Sequence, residues 1–131
     1  MNKNRILVID DNVGVTKMLK AGLERTGLYE VREENSGQGG LEMARQFQPD
    51  LVLLDVMMPN MSGEEVARRI AAEPTLKETK IVYLTGLVSE NDPSGHDLRS
   101  GGCRCLPKSI SLKKVAAFIA EELGLAHCAA N

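Results

Sequence analysis

The sequence predicts an α/β fold in which one parallel sheet carries helices on both faces. Strand-like and helix-like patterns alternate five times along the 131 residues, and such alternation is typical of βα units with right-handed crossovers. Three of the apolar runs are continuous rather than alternating, as expected for strands that are covered on both faces. The length fits one domain, and no internal repeat or linker divides the chain.

Five short apolar runs predict the strands. The second run is polar and alternates poorly, so we place it at an edge of the sheet, whereas the first, third and fourth runs predict its buried centre. The five runs are Ile6 to Ile9, Tyr29 to Arg32, Leu51 to Leu54, Ile81 to Leu84 and Cys103 to Leu106.

Helical periodicity lies between these runs. The first helix is predicted from Val13 to Thr26, and either Asp11 or Asn12 is available as its N-cap. The second helix is predicted to end before Pro49 and the third before Pro74, because proline cannot continue a helix.

The last helix has the clearest apolar stripe. Ser111 or Ser109 is available as its N-cap and Gly124 as its stop. The preceding segment, Gly86 to Gly102, contains four glycines and Pro93, so at most a short helix is predicted there, around His96 to Arg99. We expect this segment to be the most mobile part of the chain.

The composition narrows the class of protein. Sixteen Lys and Arg against eighteen Asp and Glu give a formal net charge of -2, which argues against direct binding to nucleic acid. Three cysteines form no disulfide framework, so a cytoplasmic location is expected. No signal peptide is visible at Met1 to Asn4, and no apolar stretch is long enough to cross a membrane.

Acidic residues stand where two of the predicted strands end. The first strand ends in Asp10 and Asp11, and the third ends in Asp55. Ligands of open α/β sheets bind at the carboxyl ends of the strands, so these three carboxylates are expected to converge. Three close carboxylates repel one another unless a cation compensates them, and Mg²⁺ prefers such oxygen ligands.

Two further strand ends complete this arrangement. The fourth strand ends in Thr85 and Gly86, and the fifth is followed by Lys108. A carboxylate beside Mg²⁺ and a lysine is suited to attack on phosphorus, since both cations neutralise the oxygens of the transferring group. Thr85 could hydrogen-bond a phosphoryl oxygen, and Gly86 leaves room for a bulky donor.

The chain resembles the receiver (REC) domain of two-component response regulators, and among them the chemotaxis-type single-domain regulators. The resemblance covers about Lys3 to Leu123 and includes the final amphipathic helix. It rests on ordered motifs that are together highly specific: "ILVIDDN", "LVLLDVMMPNMSG", "IVYLTG" and "GGCRCLPKS".

The resemblance implies a flavodoxin-like (βα)5 sandwich with strand order 2-1-3-4-5. It implies that Asp55 is the phosphoacceptor, receiving the group as 4-aspartylphosphate from a sensor histidine kinase or histidine phosphotransfer protein. Asp10, Asp11, Asp55 and the backbone carbonyl of Met57 would bind Mg²⁺. Thr85 and Lys108 would bind the phosphoryl oxygens.

The resemblance also implies a domain boundary and an output surface. Residues 1–124 would form the receiver and residues 125–131 a C-terminal tail. The domain would catalyse only its own phosphorylation and dephosphorylation, and its output surface would lie near the fourth helix, fifth strand and fifth helix. The output partner or effector domain is not specified, and a homodimer is compatible with the resemblance.

Two positions depart from the usual receiver pattern. Ser109 follows Lys108 where receivers usually have proline, so the loop is expected to differ. Cys105 stands where Tyr or Phe is common, and a thiol cannot make the same large rotamer change, so the usual output route is not expected to carry over unchanged. Gly86 and Cys105 are the candidate switch positions.

Two alternatives remain open from the sequence. One is a degenerate receiver that binds a partner without phosphorylation, which Cys105 and Ser109 would allow. The other is a Mg²⁺-dependent aspartyl-phosphate phosphatase. Such phosphatases usually separate their two first-strand aspartates by one residue and carry a cap domain, whereas Asp10 and Asp11 are adjacent here.

Overall fold

The computed structural model describes residues 3–85, 99–100, 103–108 and 111–124, with the backbone alone at 99, 100 and 103. These residues form one sheet, four α-helices and a 3₁₀ turn at Pro74–Leu76. The strands are β1 Asn4–Ile9, β2 Tyr29–Glu34, β3 Leu51–Asp55, β4 Lys80–Thr85, β5 Arg99–Ser100 and β6 Cys103–Pro107. The helices are α1 Val13–Arg25, α2 Gly37–Phe47, α3 Gly63–Ala72 and α4 Leu112–Glu122.

The strand order confirms the predicted topology. Five strands run parallel in the order β2-β1-β3-β4-β6, which is the order 2-1-3-4-5 when only the five predicted strands are counted. The polar strand β2 lies at an edge, as predicted. The sequence did not predict β5, which pairs antiparallel with the outer side of β6.

Both faces of the sheet are covered. Alternate residues of β1 and β3 point to opposite faces, so Ile6 and Leu53 pack in one cluster while Leu7 and Val52 pack in the other. The first cluster includes residues of α1 and α4, and the second includes residues of α2 and α3. Burial on both sides explains why these strands are continuous apolar runs.

Each helix begins at a polar cap. Asn12, rather than Asp11, caps α1, and Ser111 caps α4; Ser36 and Ser62 cap the other two helices. A capping side chain satisfies a backbone N–H that the first helical turn leaves without a partner. Because Asn12 performs this role, Asp11 does not serve as the cap.

The helix ends also agree with the sequence. Helix α2 ends at Phe47, with Gln48 in the left-handed conformation just before Pro49. Helix α3 ends at Ala72, and Gly124 adopts a φ of 76° after α4. Residues 86–98 lie outside the described residues, so the short helix predicted there is untested. Its last residue, Arg99, lies in β5 and not in a helix, because it pairs with Arg104 of β6.

None of the helices in the described ranges combines the length and the apolar character that crossing a bilayer demands.

Candidate functional site

The carboxyl ends of four parallel strands bring the predicted site residues together. In the pairing of β1 with β3, Ile9 lies opposite Leu54, so Asp10 continues one strand beside Asp55, the last residue of the other. Strands β4 and β6 follow on the other side of β3. Lys108 comes directly after β6 and donates its backbone N–H to the Thr85 carbonyl oxygen at 2.8 Å.

Three carboxylates form a compact cluster at this edge. One oxygen from each of Asp10, Asp11 and Asp55 lies within 4.8 Å of the other two. Asp10 is fully buried and Asp55 is 3% exposed, whereas Asp11 is exposed. Buried carboxylates are costly unless a cation or hydrogen bonds compensate them, so the cluster needs positive charge nearby.

Lys108 supplies part of that charge. Its Nζ lies 3.0 Å from Asp10 Oδ2 and 3.2 Å from Asp55 Oδ1, which places one ammonium between two buried carboxylates. Burial lowers the pKa of Lys108, but the two carboxylates outweigh this effect and hold its pKa above the usual value. The lysine therefore stays protonated at neutral pH.

One ammonium does not compensate the site fully. Burial and the neighbouring charge of Asp10 raise the pKa of Asp55 from 3.8 to about 6, although Lys108 opposes the shift. The oxygen Oδ2 of Asp55 is buried and accepts no hydrogen bond within the described part of the chain. Native proteins rarely leave such an atom without a partner, so this oxygen suits a further cation.

The donor set fits a hard divalent cation. All three side chains offer carboxylate oxygens, and no histidine or cysteine among the described residues belongs to the cluster. Mg²⁺ is usually bound through a few carboxylates, with water filling its other positions. The carboxylate cluster can therefore hold a metal ion, and its chemistry suits Mg²⁺.

Backbone amides orient the two buried carboxylates. Asp10 Oδ1 accepts the N–H of Asn12 at 2.9 Å, and Asp55 Oδ1 accepts the N–H of Met57 at 3.3 Å. The Met57 side chain is 67% exposed. The side chain of Met57 thus lies open to solvent beside the site, while its backbone helps to hold Asp55.

Helix α3 packs directly against the backbone of Asp55. A Cβ added at Gly63 would collide with the Asp55 carbonyl oxygen and carbon. The N–H of Gly63 donates to the carbonyl oxygen of Val56 at 2.9 Å. Only glycine permits this approach, so Gly63 fixes the loop that follows Asp55.

Comparison with known proteins decides the family. The response regulator receiver domain family matches residues 6–120, which is most of the chain. The chain belongs to this family. The resemblance to receivers inferred from the sequence motifs is therefore confirmed, as is the flavodoxin-like fold.

Named relatives support the same assignment. The chain is similar to the polar-differentiation response regulator DivK of Brucella ovis, with 29% identity over 120 residues that cover 91% of this chain and 95% of DivK. It is 39% identical over 106 residues to the response regulator PleD of Caulobacter vibrioides, covering 81% of this chain but 23% of PleD. The structure of chemotaxis protein CheY4 from Vibrio cholerae superimposes with a TM-score of 0.78 and 25% identity, covering 92% of this chain and 98% of CheY4.

The structure describes two of the remaining predicted positions, Thr85 and Cys105. Thr85 ends β4 and is 7% exposed, at the same edge as Asp55. Cys105 is buried opposite Tyr83 of β4, within the cluster under α2 and α3. Gly86 and Ser109 lie outside the described residues, so their predicted roles are untested.

Sequence reasoning missed three residues of the receiver site. Asn35 and Thr16 hold the loop after β1 through side-chain hydrogen bonds, and Gly63 lies against Asp55. Asn35 directly follows the edge strand, level with Asp10, and this placement is the signal that could have identified it. The contact of Gly63 depends on how α3 meets β3, which no local pattern indicates.

Proposed function

We propose that this receiver is a phosphorylation switch in which Asp55 accepts a phosphoryl group in a Mg²⁺-dependent reaction. The donor is a phosphohistidine on a sensor histidine kinase or a histidine phosphotransfer protein. The observation that carries the proposal is the environment of Asp55, whose Oδ1 lies 3.2 Å from Lys108 Nζ while its buried Oδ2 accepts no hydrogen bond within the described residues.

The carboxylates of Asp10, Asp11 and Asp55, together with the backbone carbonyl of Met57, would hold Mg²⁺. When bound, Mg²⁺ supplies positive charge that favours the ionised form of Asp55 and neutralises phosphoryl oxygens. The clustering of the three carboxylates within 4.8 Å supports this assignment. The backbone N–H of Met57 donates to Asp55 Oδ1, so the Met57 carbonyl belongs to a residue that the site already positions.

The transfer itself requires one bond to form and one to break. An oxygen of ionised Asp55 attacks the phosphorus of the donor, the new O–P bond forms, and the P–N bond to the donor histidine breaks. The electron pair of that bond returns to the imidazole nitrogen. Lys108 and Thr85 bind the phosphoryl oxygens, and their positions at neighbouring strand ends support these roles.

Phosphorylation would act as a switch because it adds charge at a crowded site. A phosphoryl group carries roughly -1.5 to -2 charge at neutral pH and would compete with Asp10 for Lys108, now 3.0 Å away. Lys108 and Thr85 would then shift, with Gly86 and Cys105 as the switch positions. The output surface would include β6 and α4, together with residues between β4 and β5 that lie outside the described ranges.

The same proposal includes the bounds of the domain, its location in the cell and the reactions it catalyses. Residues 1–124 form the receiver and residues 125–131 a tail, and the domain acts in the cytoplasm without binding nucleic acid or a membrane. It is not an enzyme toward other substrates, since it catalyses only its own phosphorylation and dephosphorylation. The relatives DivK and PleD are both named as response regulators, which supports a place in a two-component phosphorelay.

A phosphorylation-independent binding module is the second candidate. Buried Cys105, which lies where receivers commonly have an aromatic residue, favours it. The complete set of Asp10, Asp55, Thr85 and Lys108 around one edge of the sheet favours phosphorylation more strongly.

Incubation with acetyl phosphate and Mg²⁺, followed by intact mass measurement, tests the proposal. One phosphoryl adduct that requires Mg²⁺ and is absent from Asp55→Asn is expected. Asp50→Asn is the matched control, because Asp50 accepts hydrogen bonds from Asn4 and Arg5 at the opposite end of β1. It should be labelled like the wild type. A wild-type protein that binds Mg²⁺ but takes no label would favour the binding module.

A further inference from the structure

We propose that Asn35 is a positioning residue for the metal-binding loop between β1 and α1. The inference rests on the proposed function, because it concerns the same carboxylates. The Nδ2 amide of Asn35 donates to the backbone carbonyl oxygen of Asp10 at 2.8 Å and to Thr16 Oγ1 at 3.0 Å. The Asn35 side chain thus connects the end of β2 to Asp10, at the start of the loop between β1 and α1, and to Thr16, in the first turn of α1.

The first hydrogen bond fixes a particular peptide. The N–H of Asp10 donates to the Glu34 carbonyl oxygen at 3.1 Å, which continues the ladder between β1 and β2. The carbonyl of Asp10 has turned out of that ladder and receives the amide of Asn35 instead. Since this carbonyl belongs to the peptide that joins Asp10 to Asp11, Asn35 sets the orientation of Asp11.

Asp11 depends on this peptide more than Asp10 does. The carboxylate of Asp10 is fully buried and is held by the N–H of Asn12 and by Lys108. Asp11 is exposed, so the packing of a core does not fix its side chain. Its distance to the other two carboxylates therefore follows from the backbone that Asn35 holds.

The second hydrogen bond anchors Asn35 itself. Thr16 is fully buried in α1, and its hydroxyl donates to the Val13 carbonyl oxygen at 3.0 Å while accepting from Asn35. Asn35 is exposed, so without this anchor its amide would be free to turn toward water. The pair joins the first turn of α1 to the loop that carries the acidic residues.

Outer-shell partners of metal ligands typically contribute 10–100-fold to metal affinity. Asn35 contacts the backbone of a ligand and not its carboxylate, so a smaller effect is expected. We expect Asn35→Ala to weaken Mg²⁺ binding by roughly 3–10-fold, which is below that range. The shift of the Asp11 amide resonance should also change in the metal-free protein, because the peptide before it loses its hydrogen bond.

The experiment is an NMR titration of the full chain with Mg²⁺, which measures affinity without any phosphorylation. Asn4→Ala is the matched control. Asn4 also donates through Nδ2 to a partner distant in sequence, Asp50, but at the opposite end of β1. Asn4→Ala should bind Mg²⁺ like the wild type, and urea unfolding of both variants separates lost stability from lost affinity.

A second pair of variants tests the anchor if Asn35→Ala does not fold. Thr16→Ser keeps the hydroxyl and should bind Mg²⁺ like the wild type. Thr16→Val removes it and should bind more weakly than Thr16→Ser. Equal affinities in this pair would overturn the role of the anchor.

The outcomes also separate this inference from the proposed function. If the wild type binds Mg²⁺ and Asn35→Ala binds within twofold of it, or if Asn4→Ala is weakened equally, the positioning role is wrong and the phosphoacceptor site stands. If the wild type binds no Mg²⁺, both the proposed metal site and the role of Asn35 fail.

Discussion

The ammonium of Lys108 lies 3.2 Å from one carboxylate oxygen of Asp55, yet the pKa of Asp55 is still raised to about 6. Burial and the charge of Asp10 therefore outweigh the attraction of the lysine. An acid in this state binds its proton more tightly in the folded protein than in the unfolded chain. Stability and proton binding are consequently linked at this one residue.

The first prediction concerns the pH dependence of stability in the metal-free protein. The pKa of Asp55 is about 6 in the folded protein, whereas the ordinary value for the side chain is 3.8. The ionisation of Asp55 therefore lowers the free energy of unfolding as the pH rises from about 4 to about 6. The full effect is on the order of 1–3 kcal/mol. Asp55→Asn should lack it, so the variant should exceed the wild type in stability at pH 7 but not at pH 4.

Urea unfolding of both proteins between pH 4 and pH 7 measures this difference. Subtracting one curve from the other removes the contribution of other carboxylates. Among them is Glu65, whose pKa Arg68 and Arg69 lower to about 2, so that its stabilising effect is lost only in more acidic solution. Parallel stability curves for the wild type and Asp55→Asn would contradict the prediction.

The second prediction concerns Lys108. In Lys108→Gln the pKa of Asp55 should rise above about 6. Among the described groups, Lys108 is the one that lowers this pKa, and the substitution removes its charge. Two buried carboxylates would face each other without their ammonium, at a cost of about 2 kcal/mol. This is less than the 3–5 kcal/mol for fully buried pairs, because the lysine side chain is 28% exposed.

Carbon-detected NMR of the Asp55 carboxyl gives the titration midpoint, and urea unfolding gives the stability. Lys80→Gln is the control, since Lys80 is exposed at the other end of the neighbouring strand β4. An unchanged or lower midpoint in Lys108→Gln would show that the lysine does not set the ionisation of Asp55.

The third prediction concerns the contact between α3 and the end of strand β3, where Asp55 lies. Gly63→Ala would force a methyl group into the backbone of Asp55, so α3 or the loop after β3 must move. Overpacking of this kind costs typically 1–3 kcal/mol, and the rate of labelling by acetyl phosphate should fall as Asp55 is displaced.

Gly14→Ala is the matched control, because Gly14 also lies at the start of a helix. Among the described residues, an added Cβ there would meet the Asn12 side chain alone, at 3.2 Å, and alanine is the better helix former by up to about 1 kcal/mol. Thermal unfolding of the two variants should therefore move in opposite directions. If Gly63→Ala were as stable as Gly14→Ala, the close approach would be unimportant.

The fourth prediction concerns the lifetime of the phosphoryl group. Met57 is 67% exposed two residues after Asp55, and its thioether is a poor hydrogen-bond partner for an attacking water. The phosphorylated protein should therefore lose its label slowly. Met57→Asn should accelerate the loss by up to about tenfold, less than the 10²–10⁴ of a positioned general base.

Intact mass measured at intervals after removal of acetyl phosphate gives the rate of loss. Met18→Asn is the control, since Met18 is 48% exposed on α1 and should leave the rate unchanged. Loss of label from the wild type within seconds in Mg²⁺ buffer would refute the prediction.

The site was predictable where it depends on strand ends. Asp10, Asp55 and Thr85 close three strands that are visible as apolar runs, and parallel strands end at a common edge of their sheet. The order of the strands came from the family resemblance rather than from periodicity. Sequence alone therefore indicated which residues meet, and the resemblance indicated how their strands are arranged.

Contacts between elements were less predictable. The two residues of β5 lie beside a glycine-rich segment without periodicity, and two residues are too few to show a strand pattern. In the sequence, Asn35 is an ordinary polar residue after an edge strand. Its role follows only from the hydrogen bond to Asp10 in the folded protein. Gly63 matters only because α3 begins against the backbone of Asp55, which depends on the tertiary packing.

The two edge strands of the sheet determine whether one molecule can pair with another through its backbone. An unpaired strand edge can recruit a strand from another molecule, and natural proteins discourage this with charged residues or very short edge strands. The edge strand β2 carries Glu30, Arg32 and Glu34, while β5 is only two residues long. Each edge that the structure describes thus carries one of these safeguards against polymerisation through the sheet.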